Sequence, residues 1–573
     1  MSLVNKIWKS KGWIVITIVV LVLLNWLASM YHTRIDFTNE KRFTLSAPTK
    51  KILRKLDDVV EIDIFLKGEF PSAFKKLANS TGEILEEFRE IAGNKLQYYF
   101  ISPDDVLDGT NVKWGDTLAA LGLNPINLKS QLKAGEQQQL VYPIALVHYK
   151  NKIQPVDLYA GNKNIITAQE LNSAEAMMEF KFVNAIDKLS QVNKPMIAYS
   201  DGNGEPPVGS YLTYDLVENV LRTDYNLFKF NLKTQPGIPD TFKLLLIVKP
   251  TQPFNDEEKL KIDQFVMRGG KLLIFMDKLN AEMDSLRIKN EVIAYDRGLE
   301  LNDLLFKYGA RVNSDLVMDL QCDRLPFDLS GNGQFDFLHW NYFPMFETKS
   351  NHMINKNLGL VAGQFVNSID TVEAEGIKKT ILLSSSPNAR TIATPALISG
   401  KENVNAPEDD KYKTPNIPVA VLLEGKFQSL FANHLSQSMK DSIEKYGSIF
   451  LSQCIYDNKV IVVADGDIVL NAVKKDEPLP MGMNPFTYGT TYQFQFANKD
   501  FVQNCLDYLI NPSGLSEAKA KDYTLRLFDT KKLNSQRTMW QLINIAIPVL
   551  LLCIFAVMYQ WLRRRKYTKS YHG

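Results

Sequence analysis

Cysteine is scarce in this sequence: there are four in 573 residues, and no two of them form a CxxC. That excludes a disulfide-dense scaffold, a zinc knuckle and a dithiol redox motif. Cys553 falls inside an apolar run, so at most one bridge is available among Cys322, Cys454 and Cys505, and their spacing does not choose the pair. No GxxxxGK[ST] occurs, which excludes phosphate binding in the P-loop manner and leaves any energy input to a partner. No GxSxG or GxCxG occurs either, so the sharp elbow that raises a hydrolytic nucleophile is missing. The six histidines, His32, His148, His339, His352, His434 and His572, show no HExxH or other paired spacing. No metal and no cofactor is therefore expected.

A basic body is also missing. Lys plus Arg number 66 against 64 Asp plus Glu, but eight of the bases lie in acid-free tips at 6, 9, 11, 563–566 and 569. Taking those away leaves 58 against 64, so residues 12–561 carry about −6. A phosphate-binding surface normally needs a basic excess, which argues against nucleic acid as a partner.

What is present begins with two uncharged apolar runs, 12–31 and 540–561. Each is long enough to cross a hydrocarbon core of about 30 Å as a helix, and each carries interfacial aromatics such as Trp13, Trp26, Trp540 and Trp561. Basic flanks outside both runs predict cytoplasmic termini and an exported body, with the lipid bilayer as a partner. The first run is too long for an ordinary signal-peptide core and has no clean small-x-small site after it. Inside the second, Asn544 and Pro548 are candidate contacts to a membrane partner: Pro548 removes a helix hydrogen bond, and Asn544 offers a polar group.

Between the runs the periodicities alternate. The reading is a cytoplasmic tip at 1–11, a span at 12–31, a juxtamembrane segment at 32–58 and an α/β domain at 59–165. A connecting helix at 166–193, a second α/β domain at 194–512, a juxtamembrane segment at 513–539, a span at 540–561 and a basic tail at 562–573 complete it. In the first domain a strand at 59–66, a helix at 72–92 and a strand at 96–101 precede a hairpin of 144–149 and 153–158, a thioredoxin-type layout. In the second, apolar strands at 196–199, 243–248 and 271–276 alternate with helices, the mark of a doubly wound parallel sheet. Further apolar runs at 380–383, 418–423 and 460–464 are expected in the same sheet or a companion one.

Open parallel sheets bind ligands beyond the carboxyl ends of their strands. Asp201, Glu205, Asp277, Asp465 and Asp467 all follow strands in this reading, and are candidates for one acidic rim holding a cation or a hydroxylated ligand. Asp and Gly also end strands simply because they suit turns.

Several segments then fall into one frame: RIDFTNEKRFTLS after the first span, the DGNGE turn, GGKLLIFMD, LLFKYGARVNSDLVMDLQC, AVLLEGKFQSLF, VVADGDIVLN, LRLFD and the closing WQLINIAIPVLL with RRRKY. In order and spacing the chain resembles the GldG family, the gliding-motility ABC-transporter accessory components of Gram-negative gliding bacteria. Its centre is similar to the wider ABC-transporter auxiliary domain, and through it to class I glutamine amidotransferase and flavodoxin-like sheets. The resemblance implies an inner-membrane protein working beside an ABC ATPase (GldA-like) and a permease (GldF-like). It implies no catalytic residue. A non-enzymatic periplasmic subunit is the expectation; the alternatives are an amidotransferase-like hydrolase of an envelope component and a structural scaffold of the gliding apparatus.

Overall fold

The computed structural model describes residues 18–23, 25, 44–510, 515 and 530–568, apart from short internal stretches that include 161–167, 287–290, 401–408 and 444–448. Residues up to Asp522 form one compact unit and Tyr523–Gly573 a second. It is a mixed α/β protein with several sheets.

The first element of the body is helix α1, Ala47–Arg54, where Ser46 caps the first turn and its Oγ accepts the Thr49 amide. The Ser46 amide and the Thr49 hydroxyl both donate to Glu179 Oε1 at 2.7 Å, tying this helix to a distant one. Strand β1 (Val60–Ile64), helix α2 (Ser72–Ala92) and strand β2 (Leu96–Phe100) make a crossover in which β1 and β2 pair in parallel. A short helix α3 (Trp114–Ala120) and a separate hairpin of β3 (Ile126–Leu132) and β4 (Gly135–Val141) follow, and the sequence reading did not anticipate the hairpin. Strands β5 (Ile144–Tyr149) and β6 (Lys152–Asp157) then complete a sheet of order β2-β1-β5-β6. The turn between them is two residues rather than three. Lys150 and Asn151 both take the left-handed region, at φ 47° and 62°, which closes a hairpin without Lys152. Helix α4, Ala168–Ser190, packs Leu171, Met178, Phe182 and Ile186 into the core of this sheet.

The second sheet has seven strands: β7 (Met196–Ser200), β8 (Asn226–Phe230), β9 (Phe242–Val248), β10 (Lys271–Phe275), β11 (Ile377–Ser384), β12 (Pro418–Gly425) and β13 (Asn458–Val463). Their order is β11-β12-β13-β10-β9-β7-β8. The run β13-β10-β9-β7-β8 is parallel throughout, whereas β12 is antiparallel to both neighbours. All three later apolar runs therefore join one sheet, and the purely parallel expectation is corrected at β12. Helix α5, Asp256–Met267, starts with a capping box between Asn255 and Glu258. Its Ile262, Phe265 and Val266 pack on Leu245, Ile247, Leu272 and Ile274. On the opposite face the turns of 215–221 and helix α6 (Asn498–Ile510) pack Leu216, Val220, Phe501 and Leu506 on Tyr199, Leu244, Leu246 and Leu273. Burial on both faces is why these strands read as unbroken apolar runs. Truncating Phe265 to Ala would cost about 3–5 kcal/mol.

The segments inserted between β10 and β11 and between β11 and β12 build a companion layer that sequence periodicity did not outline. Its strands pair across long gaps, Asp315–Asp319 with Ala389–Ala393 and Glu291–Asp296 with Ala396–Ser399. Cys322–Phe327 pairs with Asp336–Phe346, so residues 328–335 join two antiparallel strands. Trp340 is the hub of its core, with Tyr342, Phe343 and Phe365 rings at 5.1–5.7 Å.

In the C-terminal unit, helix α7 spans Thr530–Thr568. Its segment Met539–Arg565 is long and apolar enough to cross a membrane. Pro548 lies within it, and the helix continues through it. Of the first apolar run, residues 18–23 and 25 are helical and the rest lies outside the described residues.

Candidate functional site

The helical turns after β7 and the helix after β9 lie on opposite faces of the sheet, so the chain reverses its winding between these two neighbouring strands. In open α/β sheets the crevice at such a point is the usual ligand site. Here the chain's own loops close it. Glu205 bends back under the DGNGE turn and accepts from Ser200 Oγ (2.6 Å), the Asn203 amide (2.7 Å) and the Gly202 amide (3.1 Å). The Thr251 and Gln252 amides donate to Asn203 O at 2.9 and 2.8 Å, and Asn203 Nδ2 donates to Pro253 O at 3.1 Å. Gly204 makes the approach possible: at φ +80° a Cβ there would lie 2.0 Å from Thr251 Oγ1.

The acidic rim forms one strand further along. Asp277 follows β10, Asp465 and Asp467 follow β13, and their carboxylate oxygens lie within 4.8 Å of one another. Into them reaches Lys249, the residue after β9, held at φ +41°. Its ammonium stands 2.6 Å from Asp467 Oδ1, 3.1 Å from Glu282 Oε2 and 3.3 Å from Asp277 Oδ2. Arg297 pairs with Glu282 from the other side. Backbone amides supply the remaining donors: Gln364 N and Asp467 N to Asp465, and Gly466 N to Asp277. Gly466 must lack a side chain, because a Cβ there would meet Lys249 Cγ at 2.6 Å.

Burial holds Asp465 well above the ordinary carboxylate range, with the charges of Asp467 and Asp277 adding to the effect. Burial also lifts Asp467, to about 6, with Lys249 opposing the rise. Burial alone would lower Lys249, yet Asp467, Asp277 and Glu282 outweigh it and hold the ammonium well above its ordinary value. Three carboxylates at this spacing suit an oxygen-seeking cation. The Lys249 ammonium stands against two of the three, Asp277 and Asp467, and offsets part of their charge from within the chain. Among the described residues, the printed contacts of these acids involve no Ser, Cys or His side chain.

Of the five acids read from the sequence, Asp277, Asp465 and Asp467 come together. Asp201 and Glu205 do not join them: β9 lies between, and Glu205 is spent on its own turn. Lys249, Glu282 and Arg297 were not anticipated. The available signal was a lysine directly after an apolar strand, beside two strands ending in Asp. Asn544 and Pro548 lie exposed on α7. Cys322, Cys454 and Cys505 are buried, and Cys553 is exposed.

A family model described as an ABC-type uncharacterized transport system matches residues 194–505, the whole of the larger sheet and its companion layer. A model for a domain of unknown function matches 39–148. An uncharacterized protein of Borreliella burgdorferi is 21% identical over 450 residues, covering 76% of this chain and 81% of its own. Among solved structures, the mmIFT52 N-terminal domain superposes at a TM-score of 0.30 with 12% identity, over 55% of this chain and 97% of its own. The first of these matches runs over more than half of the sequence, and the chain belongs to the auxiliary-component family of the ABC-type uncharacterized transport systems.

Proposed function

We propose that this protein is a non-enzymatic, membrane-anchored subunit of an ABC-type transport complex linked to gliding motility, with an exported body held beside an ABC ATPase (GldA-like) and a permease (GldF-like). The observation that carries the reading is the closed crevice. Where a doubly wound enzyme of the amidotransferase or flavodoxin kind opens onto its substrate, this chain packs Asn203 and Gly204 onto Thr251 and Gln252. A lysine ammonium stands among three neighbouring acids and offsets part of their charge. The apolar segment Met539–Arg565 supports the anchor. The β2-β1-β5-β6 order, with a parallel pair followed by a hairpin, supports a thioredoxin-like first domain that serves as a shape rather than a redox centre. Holding such a body at the membrane raises its effective concentration at a permease, which suits a permanent subunit.

Affinity purification of the full chain in mild detergent, with identification of what accompanies it, is the test. Recovery of an ATPase and a permease is expected. Recovery of neither sinks the transporter reading, and hydrolysis of an envelope amide or ester by the purified protein sinks the non-enzymatic one.

A further inference from the structure

Away from the strand ends, the companion layer holds an open cleft of about 330 Å³, near the lower limit for small-molecule sites. Met345 and Leu360 line it, and Tyr492, Phe494 and Phe496 form one wall at alternating positions. At its rim Arg324 is fixed on two sides. The guanidinium lies over the Tyr492 ring, 4.6 Å from its centroid, and Nε donates to His339 Nε2 at 3.3 Å. That bond needs the His339 tautomer in which Nδ1 carries the proton, and Nδ1 lies 2.8 Å from Cys322 O, where the proton has its acceptor. Phe337 packs against Tyr492, with ring centroids 5.1 Å apart, and steadies the ring.

The two terminal nitrogens of Arg324 are what this arrangement leaves over. Among the described residues no carboxylate lies within ion-pairing distance of them, and Nε carries the side chain's one hydrogen bond to protein. A planar fork held by stacking, facing an apolar wall, matches a two-oxygen monoanion. Asp323 sets the upper limit of charge. It also lines the cleft, and Asn484 Nδ2 holds it at 2.7 Å, so a dianionic phosphate would face a second acid without a second cation.

We propose that this cleft binds a small organic carboxylate with an aromatic or branched apolar body, the carboxylate taken bidentately by Arg324 and the body laid against Tyr492 and Phe494. The site stands apart from the transport reading, since it uses neither the membrane segment nor the strand-end cluster. The failure of either leaves the other in place.

The experiment is calorimetric titration of the full chain in lipid nanodiscs with 3-phenylpropionate, and in parallel with its uncharged amide. Saturable binding of the acid is expected, with the amide at least tenfold weaker, a difference of about 1.4 kcal/mol. R324Q should lose at least tenfold for the acid and leave the amide unchanged. R324K, which keeps the charge without the fork, should fall between. F494A removes wall area and should weaken both probes, so it tests the cleft even if R324Q fails to fold. No saturation by the acid up to about 10 mM, equal affinity for acid and amide, or indifference to R324Q and F494A overturns the proposal.

Discussion

At the scale of the residue, Lys249 ties the ends of three neighbouring strands together. It is the shared counter-ion of Asp277, Glu282 and Asp467, and little solvent reaches it. Removing one partner of a buried ionic group leaves the others uncompensated, at a cost of about 3–5 kcal/mol. K249M should therefore destabilise the folded body by that order, read as the denaturant midpoint of the full chain in detergent; a loss below about 1 kcal/mol would show that the ammonium is dispensable. The pH dependence has a definite sign. Asp467 is lifted to about 6 from an ordinary 3.8, so its carboxyl binds a proton more tightly folded than unfolded. The stability from that proton is complete below about 3.8 and lost as pH rises through 6. Between pH 7 and pH 4, D467N should lack this part of the slope, which paired denaturation curves will reveal. For the same reason the deficit of K249M should be smaller at pH 5 than at pH 7, because protonating Asp467 removes one of the orphaned charges.

At the scale of the element, α4 is tied at mid-length by the Glu179 hydrogen bonds and at its C-terminal end by a buried ionic knot. Near its C-terminus, Lys188 lies 2.5 Å from Asp224 Oδ2 and 3.4 Å from Asp507 Oδ1. Tyr225 OH and Gln503 Nε2 donate to Asp507 at 3.1 Å. This knot fixes the helix of the smaller sheet to α6 of the larger one. K188M should loosen the joint: amide exchange over 186–196 should rise while β9 and β10 keep their protection. Unchanged exchange in that stretch would mean that apolar packing alone carries the joint.

Elements differ in how far the sequence announces them, and the physical causes are specific. Strands β9 and β10 and helix α5 could be read directly, because both faces of the strands are buried and Asn255 with Glu258 spells out a capping box. The direction of β12 could not, since an apolar run looks the same either way and only the neighbouring strands orient it. The companion layer pairs residues more than 70 positions apart, as with Asp315 and Ala393, and local periodicity carries no trace of that. In the candidate site the three aspartates were visible as strand ends. Lys249 was not, because its inward turn depends on a left-handed backbone and on the bare Gly466 beside it. Arg324 escaped notice because its importance comes from Tyr492 and His339, both remote in sequence.

For the whole molecule, the prediction is one of sidedness. With basic flanks inside, a cysteine probe at Lys411, exposed at the end of the turn Asp409–Lys411, should react with a membrane-impermeant reagent added from the periplasmic side. A probe at Ser570, in the basic tail, should be spared. The opposite pattern would place the body in the cytoplasm and undo the exported-subunit reading. The claim that α7 does more than tether has its own measurement. N544L together with P548A should reduce co-purification of the permease several-fold, and unchanged recovery would make the helix a plain anchor.

The Glu179 bond to Ser46 and Thr49 has a mechanical consequence. Whatever pulls on the chain before residue 44 meets that carboxylate before it meets strand β1. Tension from the N-terminal side is thereby diverted into α4, a rod of 23 residues braced at its far end by Lys188. Strand β1 is thus reached only after those two bonds and the packing of α1 on α4 have given way, which makes the start of the body a clasp closed from a distance of more than 120 residues in sequence.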